Sequence, residues 1–156
     1  MKSKYIKRRH LVAGIAIIIA CSQAFTETTA KSSTSSVEPL ALRKIMQDMG
    51  KNMQTIADGI SREDWGLVEK TAPQIADHPR PPLSERARIM AFVGADVSKF
   101  KGFDGKTHEA ARELGEAAAR KDGYAIISNF ATLQNTCLMC HQSFRKSIQE
   151  HFYGKY

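Results

Sequence analysis

A chain of 156 residues is long enough for one domain with a true hydrophobic core. Its formal charge of +7 would suit nucleic acid or an anionic membrane surface, but the distribution of the charges argues against both. Lys2, Lys4, Lys7, Arg8 and Arg9 carry five of the positive charges, residues 1–20 contain no acid, and without that segment the net charge falls to +2.

The five charges precede an apolar run, Leu11 to Ala20, that is too short to span a bilayer. A basic segment followed by a short apolar one reads as a secretory signal over residues 1–20. Ile18-Ile19-Ala20-Cys21 resembles a bacterial lipobox, which implies cleavage before Cys21 and a lipid anchor on its thiol. The alternative is an ordinary signal ending at a small-x-small site such as Ser22-Gln23-Ala24, which removes Cys21. Residues 21–37 are rich in Ser and Thr and show no apolar period, so they predict a disordered polar linker. The folded domain is expected over residues 38–156.

Pro39 suits the first turn of a helix. Leu42, Ile45, Met46, Met49, Met53, Ile56 and Ile60 then step by three or four, which predicts a helix over about 39–59. Ser61-Arg62-Glu63-Asp64 has the form of a capping box with Asp in place of Glu. A second helix follows toward Asp77, with Trp65, Val68, Ala72 and Ile75 inward and Pro73 expected to kink or split it. His78-Pro79-Arg80-Pro81-Pro82 ends it. Ser84 is the expected N-cap of a third helix, with Ile89, Phe92 or Val93, Val97 and Phe100 inward. Lys101-Gly102-Phe103-Asp104-Gly105 reads as a turn, and a fourth helix over about 106–121 places Ala111, Leu114 and Ala118 on one side.

The last helix, about 124–152, carries one apolar stripe through Ile126, Phe130, Leu133, Cys137, Cys140/His141, Phe144, Ile148 and Phe152. No segment alternates as a strand does. The expected fold is all-α, an antiparallel up-down-up-down four-helix bundle with one extra helical segment.

In the middle of that stripe stands Cys137-Leu138-Met139-Cys140-His141. Cys-x-x-Cys-His is the attachment signature of a c-type haem. Two thiols add to the two haem vinyl groups, and the next residue offers an imidazole to the iron. On a helix the three residues share one face, as i, i+3 and i+4. A structural zinc site would want four Cys or His ligands, and no second cysteine pair exists. A thioredoxin-like pair would want a βαβ setting, and a plain disulfide leaves His141 as coincidence. One haem c, placed near the C-terminus, is the expected cofactor. Export is consistent with it, because such haems are attached outside the cytoplasm.

An all-helical chain with this signature near its C-terminus resembles the class II cytochromes c, that is, cytochrome c′ and its low-spin, methionine-ligated relatives. Cys137-Leu138-Met139-Cys140-His141-Gln142-Ser143-Phe144-Arg145 is similar to the family's Cys-x-x-Cys-His-x-x-aromatic-Arg. Ile45-Met46-Gln47-Asp48-Met49-Gly50-Lys51-Asn52-Met53 looks like the first helix of the low-spin members. The stretch 61–122 matches in helical character only.

The resemblance implies His141 as the proximal iron ligand, Cys137 and Cys140 as the covalent attachment points, and Arg145 beside a haem propionate. The sixth ligand divides the family. A methionine sulfur raises the potential and suits one-electron transfer; a crowding apolar residue leaves a five-coordinate site for nitric oxide or carbon monoxide. Met46 and Met53 are ~10 Å apart along a helix and cannot serve one iron. The resemblance selects Met46, four residues before Gly50. Met139 lies inside the attachment loop, Met90 in the unmatched middle. His78, His108 and His151 read first as surface or capping residues, with a bis-histidine site through His78 or His108 as the dissenting alternative.

The expectation is therefore a bacterial periplasmic electron carrier, not an enzyme, that docks redox proteins and has no nucleic-acid partner. Nothing in the sequence resembles an acid–base pair or an activated nucleophile. Alternatives are a gas-binding protein of the cytochrome c′ kind and a haem-bearing accessory subunit of a membrane redox complex, tethered through Cys21. The family also forms homodimers through its first two helices.

Overall fold

A computed structural model describes residues 40–154, and the readings that concern the signal segment, Cys21 and the polar linker lie outside the described residues. The described residues are helical throughout, without a strand: α1 Ala41–Ser61, α2 Trp65–Ala76, α3 Leu83–Val93, α4 Val97–Ala119, α5 Gly123–Cys140 and α6 Lys146–Tyr153. A 3₁₀ turn, Gly94–Asp96, separates α3 from α4, and a π-helical turn, His141–Arg145, joins α5 to α6. None of these helices is long and apolar enough to cross a membrane.

α1 packs on α2, α2 on α4 and α4 on α5, whereas α1 and α5 approach each other far less closely. The pairs run antiparallel. Gly115 faces Ala72 while His108 faces the carbonyl of Ala76, and Asn129 reaches the carbonyl of Glu113 while Thr136 meets Thr107. Small residues permit α2 and α4 to approach closely: a Cβ on Gly115 would lie 3.6 Å from the Ala72 methyl.

Two connections share one device. In Arg62-Glu63-Asp64 and Arg120-Lys121-Asp122 the middle residue adopts positive φ, 55° at Glu63 and 56° at Lys121. Paired backbone bonds close each helix end, Asp64 N–H to Gly59 and Glu63 N–H to Ile60, then Asp122 N–H to Ala117 and Lys121 N–H to Ala118. This is the Schellman arrangement. The same Asp then caps the next helix, Asp64 accepting from Leu67 N–H at 3.0 Å and Asp122 from Ala125 N–H at 3.1 Å. Trp65 packs on Gly123, so the two turns lie side by side at one end of the bundle.

Several local expectations are corrected. Ser61 does not open a capping box; its hydroxyl donates to Ala57 O inside α1, and Asp64 is the cap. Pro73 does not split α2, which runs unbroken from Trp65 to Ala76. Pro73 and Glu69 are both exposed, so the carbonyl that loses its donor is on the solvent side. Ser84 lies in the first turn of α3, with Pro82 at the N-cap position. Residues 101–105 form no turn: they continue α4, and the break falls at Gly94, whose φ of 55° ends α3. Gly102 and Gly105 have open space around them. Phe103 meanwhile packs inward and Thr107 binds its carbonyl at 2.9 Å.

The core is divided in two. One cluster, centred on Ile56, Val68, Ile75, Leu114, Ile126 and Leu133, fills the space among α1, α2, α4 and α5. A second gathers Leu40, Ile89, Val93, Phe144, Ile148 and Phe152 from the start of α1, from α3, from the π turn and from α6. Glu85 of α3 stitches this end together. It is buried, and its carboxylate accepts from the N–H groups of Ala41 at 2.8 Å and Leu42 at 2.9 Å, capping α1 from another helix.

Candidate functional site

Cys137 and Cys140 end α5, and His141 begins the π turn, so the three signature residues follow one another along a single continuous helix. Both thiols are free and half-buried. Cys137 packs against the larger cluster and Cys140 against the second. The signature therefore stands on the seam between the two cores. His141 is exposed, although the expected apolar stripe runs through it. Cys140 rather than His141 continues the stripe, packing on the second cluster at the end of α5.

Electrostatics keep this donor set neutral. Burial pushes the Cys137 thiol above its ordinary pKa. Burial, with the negative charge of Asp104 adding to it, pushes Cys140 up to about 11. Desolvation by the surrounding protein holds the His141 ring below its ordinary pKa, and the charge of Arg145 one turn on acts in the same direction. Neutral imidazole is the form that binds a metal. Two unpaired thiols and one neutral imidazole on adjacent turns are able to hold a haem. Arg145 is exposed on the same turn as His141.

α1 divides its three methionines. Met49 and Met53 pack against the larger cluster that also receives Cys137, while Met46 belongs to neither cluster and is 39% exposed. Ile45, next to it, is buried and takes the core position. An open groove of ≈480 Å³ runs between α1 and the end of α2, past Met49, Asp48 and His78. It includes none of Cys137, Cys140 and His141, nor does a smaller groove beside Met139.

One grouping was not legible as such. His78, from the connection after α2, stacks on His108 of α4 with ring centroids 4.7 Å apart, and both face Asp104 one turn before His108. Asp104 also acts on Cys140, so this grouping adjoins the signature. His151 instead stacks on Phe92 at 4.2 Å.

Comparison with known proteins gives one distant likeness. The chain is 25% identical over 145 residues to a cytochrome c′ of Rhodospirillum rubrum, covering 83% of this chain and 96% of that protein. No protein-family model matches the chain. No solved structure matches it either. The likeness is a distant relationship to a c-type cytochrome, extending over nearly all of the relative.

Proposed function

We propose that this protein is an exported c-type cytochrome that passes single electrons between redox proteins, with one haem c held by Cys137, Cys140 and His141 and with Met46 as sixth ligand. The observation that carries the reading is the donor set: two unpaired thiols and a neutral imidazole on successive turns, at the seam of two apolar cores. The likeness to a cytochrome c′ supports it.

When bound, the haem iron supplies a one-electron couple. The chain's own residues do the rest. Cys137 and Cys140 would fix the porphyrin to α5 through thioether bonds, and His141 would present a neutral nitrogen. The apolar side chains on both sides of the seam exclude water, which raises the weight of every nearby charge. Arg145 offers a cation to a propionate. Met46 is the methionine of α1 that packing does not use. The basic-then-apolar leader directs the chain to the periplasm, and Cys21 offers a lipid tether beside membrane redox partners.

Visible spectra of the wild type and of Met46→Ala, in both oxidation states, test the assignment. A low-spin wild type that becomes high-spin in the variant supports Met46. A high-spin wild type sinks that ligand, and absence of haem after denaturing electrophoresis sinks the reading as a whole. The exposure of Met46 favours one second reading, a five-coordinate site that binds carbon monoxide or nitric oxide. Ready binding of carbon monoxide to the ferrous protein would select it.

A further inference from the structure

We infer that His78, Asp104 and His108 form a site for one first-row divalent cation of the zinc or copper(II) kind, between the end of α2 and the middle of α4. Their donor atoms all lie within 4.8 Å of one another. Two imidazoles and one carboxylate are a donor set suited to such cations, and three protein ligands leave a position for water.

The second shell is already in place. The Nδ1 of His78 donates to the carbonyl of Pro79 at 3.0 Å, and the Nδ1 of His108 to the carbonyl of Ala76. Each ring therefore keeps its proton on Nδ1 and turns Nε2 inward, the arrangement found where histidine binds a metal. Both Nε2 atoms face the same carboxylate, one on each oxygen, at 3.5 Å for His78 and 3.4 Å for His108. Those distances are long for charge-assisted hydrogen bonds, which run ~2.7–2.9 Å. Neighbouring ligands placed tetrahedrally at zinc distances are about 3.3 Å apart, and three donor atoms within 4.8 Å of one another need only small side-chain shifts to close on one ion.

Access and rigidity also fit. The His78 side chain is 9% exposed and His108 24%, so packing holds both rings, while Asp104 at 55% leaves a way in from solvent. An ion there would tie the His78–Pro82 connection to α4. The site does not depend on the haem reading, because none of its ligands belongs to the Cys137–His141 signature.

Calorimetric titration of the untagged full chain with zinc, as purified with whatever haem it carries, tests the site. The expected result is one zinc per chain. His108→Ala and Asp104→Asn should each weaken binding by at least ~10-fold, the least effect that loss of a ligand, rather than of an outer-shell partner, should have. The zinc X-ray absorption edge of the wild type should show nitrogen and oxygen neighbours, a measurement that needs no variant to fold. The site is overturned by absence of stoichiometric binding at micromolar zinc, by equal affinity in both variants, or by sulfur around the zinc. A low-spin haem spectrum that turns high-spin in His78→Ala or His108→Ala would also overturn it, by making that histidine an iron ligand.

Discussion

Cys137 and Cys140 stand less than one helical turn apart, yet they pack into different cores, Cys137 beside the cluster of Leu114 and Leu133 and Cys140 beside that of Phe144 and Ile148. Each thiol is shielded by its own apolar neighbours, and both are held protonated as a result. Since the thiolate is the reactive form, iodoacetamide should label haem-free protein slowly at neutral pH. Labelling of Cys140 should rise about tenfold per pH unit until the pH nears its pKa of about 11. Mass-spectrometric rates between pH 7 and 10 check this; a plateau below pH 9 would contradict it.

The second core depends on Glu85. Its carboxylate serves two N–H groups of α1 that have no partner inside that helix. Glu85→Ala should cost about 1–3 kcal/mol in urea unfolding, because it removes a cap and leaves two partly buried donors without that partner. Glu85→Gln keeps one acceptor oxygen and should cost less.

Glu63 and Lys121 occupy a left-handed conformation that side chains disfavour. Replacement of either by glycine should therefore stabilise the fold by ~0.5–1 kcal/mol, after allowance for the greater freedom of glycine in the unfolded chain. The two turns lie side by side, with Trp65 on Gly123, so any shortfall of the double variant from the sum measures their coupling. Thermal unfolding of the three variants checks both statements.

Gly59 is where α1 meets the start of α2. A Cβ there would lie 3.0 Å from Val68 Cγ2 and 3.3 Å from the Asp64 carbonyl, and Val68 is fully buried. Gly59→Ala should destabilise by about 1–3 kcal/mol despite its better helix propensity. Gly102→Ala, with open space around it, should instead stabilise α4 by up to ~1 kcal/mol.

The architecture was legible wherever burial imposes a period. Val68, Ala72 and Ile75, then Ala111, Leu114 and Ala118, then Ile126 and Leu133 all occupy the faces their spacing predicts. The extra helix and the all-α class follow from the same signal. What escaped is decided by contacts remote in sequence. Glycines at 102 and 105 suggest a turn only when nothing else holds the helix, and here Phe103 and Thr107 hold it. Once 101–105 is placed in a turn, Asp104 and His108 cease to be partners one helical turn apart, and the meeting of both with His78 disappears from view. The i, i+4 spacing of Asp104 and His108 was the available clue. Met46 shares the spacing of its helix, yet Ile45 takes the buried place, which a stripe of adjacent apolar residues does not decide.

The π turn at His141–Arg145 has a consequence for how the chain tolerates change in length. In an α-helix each residue turns by ~100° around the axis, so the number of residues in the turn before α6 sets which way Ile148 and Phe152 face. The π turn stands between the part packed on the larger cluster, with Leu133 and Cys137, and the part packed on the second, and it sets the phase of α6 against α3. Loss of one residue from 141–145 would not delete a contact so much as rotate the terminal helix by ~100°, and carry Phe152 off its neighbours as a body. The five residues that contain His141 thus act as the timing joint of the helix, tolerant of exchange on their exposed side and intolerant of a miscount.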